Sequence, residues 1–165
     1  MDTPPLASGV TRRRFLTATG ASTLSLALSP ASDLADEQKP KVNIGLIGCG
    51  GRGKWIAGLF QNHGGFSVTA VADYFQDRAD AAGEAFKTPA EQRFIGLNGY
   101  RRLLDQKLDA VVIESPPWFH PEQAAAAVGA GKHVYLAKPV GVDVPGCQSV
   151  EKSGQEATAK NLVFL

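Results

Sequence analysis

The sequence predicts an α/β fold, a doubly wound parallel sheet with helices on both faces. Three observations predict it. From Lys41 onward, short apolar runs alternate with helix-patterned segments. A glycine cluster follows the first apolar run directly, and an acidic residue ends the second. Composition agrees: of 165 residues, 44% are hydrophobic and 20% charged, enough to bury a core. The count of 18 Gly and 10 Pro suits a chain with many tight turns between strands and helices. With 17 Lys and Arg against 16 Asp and Glu, the net charge is +1, which excludes the broad basic footprint of a nucleic-acid binder. Two cysteines outside any Cys-x-x-Cys pair exclude a disulfide scaffold, and three scattered histidines give no metal-ligand spacing.

Residues 1 to about 36 stand apart from this alternation. Arg12, Arg13 and Arg14 precede Phe15 and a mildly apolar run from Leu16 to Leu28, which Pro30 and small residues close. A basic region, an apolar stretch and a small-residue region have the layout of a signal peptide. The run is too short and too polar to span a bilayer core of roughly 30 Å. Thr11-Arg12-Arg13-Arg14-Phe15-Leu16 resembles the twin-arginine export signal, which implies a periplasmic or secreted protein. A disordered basic tail and an organellar transit peptide are the alternatives. Cleavage is expected between Ala31 and Asp36, leaving residues 37–165 for the fold.

The elements then follow in order. Val42–Ile47 reads as a strand buried on both faces, and Gly53–Asn62 as a helix with Trp55, Ile56, Leu59 and Phe60 at helical spacing. Phe66–Ala72 is the second strand and Asp77–Phe86 an Ala-rich helix. Phe94-Ile95 is a short strand, Tyr100–Asp105 a short helix and Ala110–Ile113 a clear apolar strand. Pro121 suits the first position of a helix that Gly129-Ala130-Gly131 ends. His133–Leu136 is a further strand, Pro145–Ala157 a helix, and Leu162–Leu165 the start of another strand. That last run stops without a cap or turn, which reads either as a chain cut short or as a final strand completing the sheet.

The strongest chemical signal is Gly48-Cys49-Gly50-Gly51-Arg52-Gly53, which satisfies Gly-x-Gly-x-x-Gly between a predicted strand and a predicted helix. In that context Gly48 allows the tight turn, Gly50 lets the backbone approach a pyrophosphate, and Gly53 lets helix and strand pack closely. Gly51 and Arg52 open the helix, whose N-terminus offers free N–H groups and partial positive charge to phosphates. Asp73 ends the second strand at the spacing of the ribose-binding acid. The pair predicts a Rossmann-type dinucleotide-binding domain. Asp73 repels a 2′-phosphate and so favours NAD over NADP, although Arg78 lies near enough to serve such a phosphate. The bland role for Asp73 is to cap the following helix. Cys49 reads as a packing residue, since nothing near it in sequence activates a thiol.

Two further strings end predicted strands, where open α/β sheets place their ligands: Glu114-Ser115-Pro116-Pro117-Trp118-Phe119-His120, and Leu136-Ala137-Lys138-Pro139-Val140. Here the chain resembles the Gfo/Idh/MocA family of NAD(P)-dependent oxidoreductases, from about Lys41 to its end. Ser115-Pro116, His120, Gly131-Lys132-His133-Val134 and Lys138-Pro139 carry the resemblance. Ala137 stands where the family has Glu, and Trp118 where a polar residue or His is common. The resemblance implies that Ser115, Pro116, His120, Lys138 and Pro139 join the glycine turn and Asp73 in binding the cofactor. It also implies that Lys138 is catalytic, donating hydrogen bonds to a substrate hydroxyl and stabilising charge on oxygen. His120 either contacts the cofactor or caps the helix at Pro121. Trp118 and Phe119 either line the nicotinamide pocket or pack in the core.

Family members carry a second α/β domain that binds substrate, so this chain is expected to be the cofactor part, cut before it. The resemblance implies hydride transfer between a nicotinamide and a sugar, polyol or related substrate. An NAD-dependent glycoside hydrolase is the alternative, and Ala137 leaves room for a non-catalytic relative. Expected partners are a carbohydrate-like small molecule, the export machinery and, in the full-length form, a second copy of the chain.

Overall fold

In a computed structural model the protein is described over residues 41–165. The segment read as an export signal lies outside the described residues. Five strands form one parallel sheet: β1 (Val42–Ile47), β2 (Phe66–Asp73), β3 (Arg93–Ile95), β4 (Ala110–Ile113) and β5 (His133–Leu136). Their order is β3-β2-β1-β4-β5, so the chain winds outward from β1 in both directions. The helices are α1 (Gly51–Asn62), α2 (Gln76–Phe86), α3 (Gly99–Leu104), α4 (His120–Gly129) and α5 (Val144–Ala159).

Strand alternation sends successive side chains to opposite faces. Ile44 and Leu46 of β1 pack with Ile56 and Ala57 of α1, Ala82 of α2, and Val68 and Val71 of β2. Ile47 joins the other face, with Leu103 of α3, Ala124 and Val128 of α4, and Val150 of α5. Val68 and Val71 share a face although three residues apart, because the β1–β2 register shifts: Ile44 pairs with Val68 and Gly45 with Ala70, leaving Thr69 as the extra residue of a bulge. Gly45 makes room for α3, since a Cβ there would lie 2.7 Å from Leu103 and Leu108 side-chain carbons.

The predicted elements are present with small shifts. The first helix begins at Gly51 rather than Gly53, and the fourth at His120, one residue before Pro121. The second strand runs one residue further, so Asp73 belongs to it. Leu162–Leu165 differs more. It lies parallel to β5 but makes a single bridge, Val134 to Phe164, and is not a strand. Val134 donates to Val163 O (2.9 Å), Leu165 donates to Val134 O (3.0 Å), and His133 Nδ1 accepts from Val163 N (2.8 Å). Alternate residues of this run stay exposed, Val163 at 52% and Leu165 at 73%, so only half its apolar surface reaches the core.

Candidate functional site

The carboxyl ends of β1, β2 and β4 open into a cleft of about 620 Å³, a volume in the range of small-molecule sites. The glycine turn forms its floor. Gly48 has φ +92°, and a Cβ there would lie 2.5 Å from the backbone of Glu114 and Ser115. Its amide donates to Ala72 O at 2.8 Å, which stitches the turn to β2. A Cβ on Gly53 would lie 1.9 Å from Gly48 O, so the helix packs directly on the turn. Gly50 and Gly51 face open space instead. The first helical hydrogen bond of α1 is Lys54 N to Gly50 O, and the helix has no side-chain cap and no acid in its first turn. The amides of residues 51–53 therefore have no intrahelical partner. Together they make a backbone cradle for an anion, with the helix dipole behind it.

Asp73 flanks the turn on the β2 side and lines the cleft. Its Oδ2 accepts from Cys49 N at 2.7 Å and its Oδ1 from Phe75 N at 2.9 Å. It thus braces the glycine turn and the entry to α2, while each oxygen keeps lone pairs for a ribose hydroxyl. Tyr74, Phe75 and Leu97 surround it as exposed apolar surface at the cleft mouth. Arg78 lines the same wall, its guanidinium 4.9 Å from the centre of the Phe75 ring. Cys49 is 1% exposed, and burial first, with Asp73 beside it, pushes its thiol up to about 12. It is no nucleophile at neutral pH.

On the other side of the turn, Ser115, Pro116 and Phe119 line the cleft. Ser115 Oγ donates to Gln123 Oε1 at 2.5 Å, which ties the loop to α4. Trp118 is 69% exposed and joins neither the core nor this wall. Glu114, which the sequence reading gave no role, also lines the cleft. Its side chain is 1% exposed, and its Oε2 accepts from Arg52 Nε at 3.0 Å. No local signal marks this pair, since its members lie 62 residues apart.

His120 is 1% exposed and is not among the residues that line this cleft. It caps nothing, since α4 has no side-chain cap bond. Its Nε2 lies 2.8 Å from Ser115 O and its Nδ1 3.0 Å from Pro139 O, so the ring cross-links the loops after β4 and β5. Burial drives this outcome, because a ring nitrogen removed from water must find a protein partner. Lys138 and Pro139 follow β5 and are exposed, and neither is part of the cleft wall. β5 is separated from β1 by β4, and that strand's width keeps Lys138 off the glycine turn. The Lys138–Pro139 bond is cis.

The residues present fit a dinucleotide. An open backbone cradle, unpaired helix-start amides and an acid at the end of β2 lie along one cleft. A family model described as an oxidoreductase family with an NAD-binding Rossmann fold matches residues 42–164. The chain is 30% identical to an alpha-N-acetylgalactosaminidase of Shewanella oneidensis, over 93% of this chain and 39% of that protein. It is 31% identical to an inositol 2-dehydrogenase of Klebsiella pneumoniae, over 70% of this chain and 34% of that protein. The crystal structure of a 3-ketoreductase from Actinomadura kijaniata, a complex with NADP, superposes with a TM-score of 0.63 at 28% identity, covering 76% of this chain and 38% of that one. The chain thus spans 34% to 39% of the length of these three relatives. With sheet order, glycine turn, strand-end acid and family model in agreement, the chain belongs to the Gfo/Idh/MocA oxidoreductase family, and its described part is an NAD-binding Rossmann domain.

Proposed function

We propose that this chain is the cofactor-holding part of an oxidoreductase that moves a hydride between NAD and a sugar, polyol or related alcohol–carbonyl pair. The observation that carries this reading is the continuous cleft from Asp73 across the glycine turn to Ser115, at the carboxyl edge of the sheet. NAD, when bound, supplies the hydride acceptor or donor. The chain's own residues bind and orient it. The amides at the start of α1 hold the pyrophosphate, Asp73 takes the adenosine ribose, and Ser115 and Pro116 wall the nicotinamide side. Lys138 is the candidate catalytic residue: an exposed ammonium on the next strand end, free to hold a substrate hydroxyl and steady charge on its oxygen. In the full-length enzyme Lys138→Ala is expected to lower kcat at least a hundredfold with little change in NAD affinity. Unchanged turnover would remove Lys138 from the mechanism.

A glycoside hydrolase that uses its NAD transiently is the second reading. One observation favours it: the match to the galactosaminidase runs over 93% of this chain, that to the inositol dehydrogenase over 70%. Product analysis separates the two. A dehydrogenase changes absorbance at the NADH band with every turnover, whereas a glycosidase releases free sugar with no net NADH. Export through residues 1–36 belongs to the same proposal and rests on the Arg12-Arg13 pair before Phe15-Leu16. Replacing both arginines by lysine is expected to leave the precursor in the cytoplasm. Continued export of that variant would exclude the twin-arginine route.

A further inference from the structure

The glycine turn is flanked by two acids at the same level of the sheet. Ile47, the last residue of β1, pairs with Ala72 of β2 on one side and with Ile113 of β4 on the other. Asp73 and Glu114 are the next residues along, so they stand on either side of Gly48, each about one strand spacing, roughly 4.8 Å, away. Glu114 N donates to Ile47 O at 2.8 Å and Gly48 N to Ala72 O at 2.8 Å, which locks all three into that level. The acids differ in how they are satisfied. Both carboxylate oxygens of Asp73 accept backbone amides. Glu114 has one oxygen on Arg52, while Oε1 is buried without any partner. A buried carboxylate oxygen without a donor is costly, and natural sites seldom leave one unless something else supplies the donor.

A dinucleotide has a matching order: ribose, pyrophosphate, ribose. Its pyrophosphate carries no donor at neutral pH, whereas each ribose carries two hydroxyls. Given the dinucleotide reading above, on which this rests, we infer that Glu114 is a binding residue for the second ribose, the one bearing the nicotinamide, with Oε1 accepting a hydroxyl. Arg52 is its counterpart. At Nε it neutralises the acid, so that Glu114 does not repel the phosphates held on the adjacent turn. Its guanidinium is half exposed and stays available to them. Asp73 and Glu114 then read one ribose each, and the turn between them reads the diphosphate.

The test is binding, measured by calorimetry on the chain with three probes: NAD, an NAD analogue lacking both hydroxyls on the nicotinamide ribose, and ADP. The wild-type chain is expected to bind the analogue about tenfold more weakly than NAD, the size of one charge-assisted hydrogen bond. Glu114→Gln is expected to shrink that gap to less than threefold while leaving ADP affinity equal or tighter, because a negative charge near the diphosphate has gone. Arg52→Ala is expected to weaken NAD and ADP alike. A gap that persists in Glu114→Gln, or equal weakening of NAD and ADP by that variant, overturns the inference and reduces Glu114 to a support for Arg52. If Glu114→Gln does not fold, the wild-type comparison decides alone: equal affinity for NAD and the analogue refutes the role of Glu114 while the dinucleotide reading stands. A wild-type chain that binds neither NAD nor ADP refutes both.

Discussion

Gly48 and Gly53 show how little freedom the turn has. A Cβ on Gly53 would meet Gly48 O at 1.9 Å, a backbone atom that cannot step aside without lifting α1 off the sheet. Gly53→Ala is therefore expected to destabilise the domain by about 3 kcal/mol or more, and to lower its Tm by roughly 10 °C. Calorimetric unfolding measures it, and a shift below about 2 °C would mean that the turn yields more easily than its geometry indicates. Cys49 offers a second check at the same scale. Burial holds its thiol at about 12, while Cys147 is exposed. Iodoacetamide at pH 8 is expected to label Cys147 alone in the native chain and both cysteines after unfolding, as read by peptide mass mapping. Native labelling of Cys49 would contradict its packing role.

Elements are joined here by single polar links between loops. His120 bridges the segments after β4 and β5 through two carbonyl oxygens, and both nitrogens donate only when the ring is doubly protonated. His120→Ala would leave both carbonyls without that partner and open a hole, at a cost of about 3 kcal/mol. The same variant is expected to loosen Lys138, visible as faster amide exchange over residues 137–141, the stretch that Pro139 anchors. A loss of stability without that local change would make His120 a packing residue only. The link between α3 and α4 is milder. Glu122 accepts from Tyr100 Oη at 2.7 Å and from Arg101 at 2.6 Å. The Tyr100 hydrogen bond above all holds its carboxyl below the usual range. Its lowered pKa means the contribution is complete above the ordinary carboxylate value and is lost as pH falls through the folded one. Tyr100 is pushed up to about 12, by burial first and then by Glu122, so stability falls as pH rises from its ordinary value of 10 toward 12. Glu122→Gln is expected to change stability by less than about 1 kcal/mol at pH 7, because the pair is largely exposed. Its effect should shrink further below pH 4, a trend that urea titrations at several pH values would check.

At the scale of the whole molecule, ligand binding and folding are linked. The cleft is walled by residues from β1 and β2, from the segment after β4, and from α2, α3 and α4, so a ligand there couples several elements. NAD at a hundred times its Kd is expected to add about 2.7 kcal/mol, raising the Tm by roughly 10 °C. NADP is expected to add less, because the carboxylate of Asp73 in the cleft wall would repel its extra phosphate. An equal shift would mean that Arg78, stacked on Phe75 at the same wall, offsets the acid.

The alternation of strands and helices, the glycine turn and the acid at the end of β2 are all legible in the sequence. Each is written in residues close along the chain: runs of apolar side chains, a six-residue turn, a strand-end position. Local sterics and burial are enough to decide such features. What crosses the sheet emerges only once the chain is folded. Folding set Glu114 beside Arg52 with an oxygen to spare, buried His120 as a cross-link between the segments after β4 and β5, and placed Lys138 one strand beyond the cleft wall. It also left Leu162–Leu165 as a single bridge. The physical reason is the same in each case. Strand order and register bring together residues dozens of positions apart, and burial then dictates which polar atoms must find each other. No pattern within one segment encodes that choice.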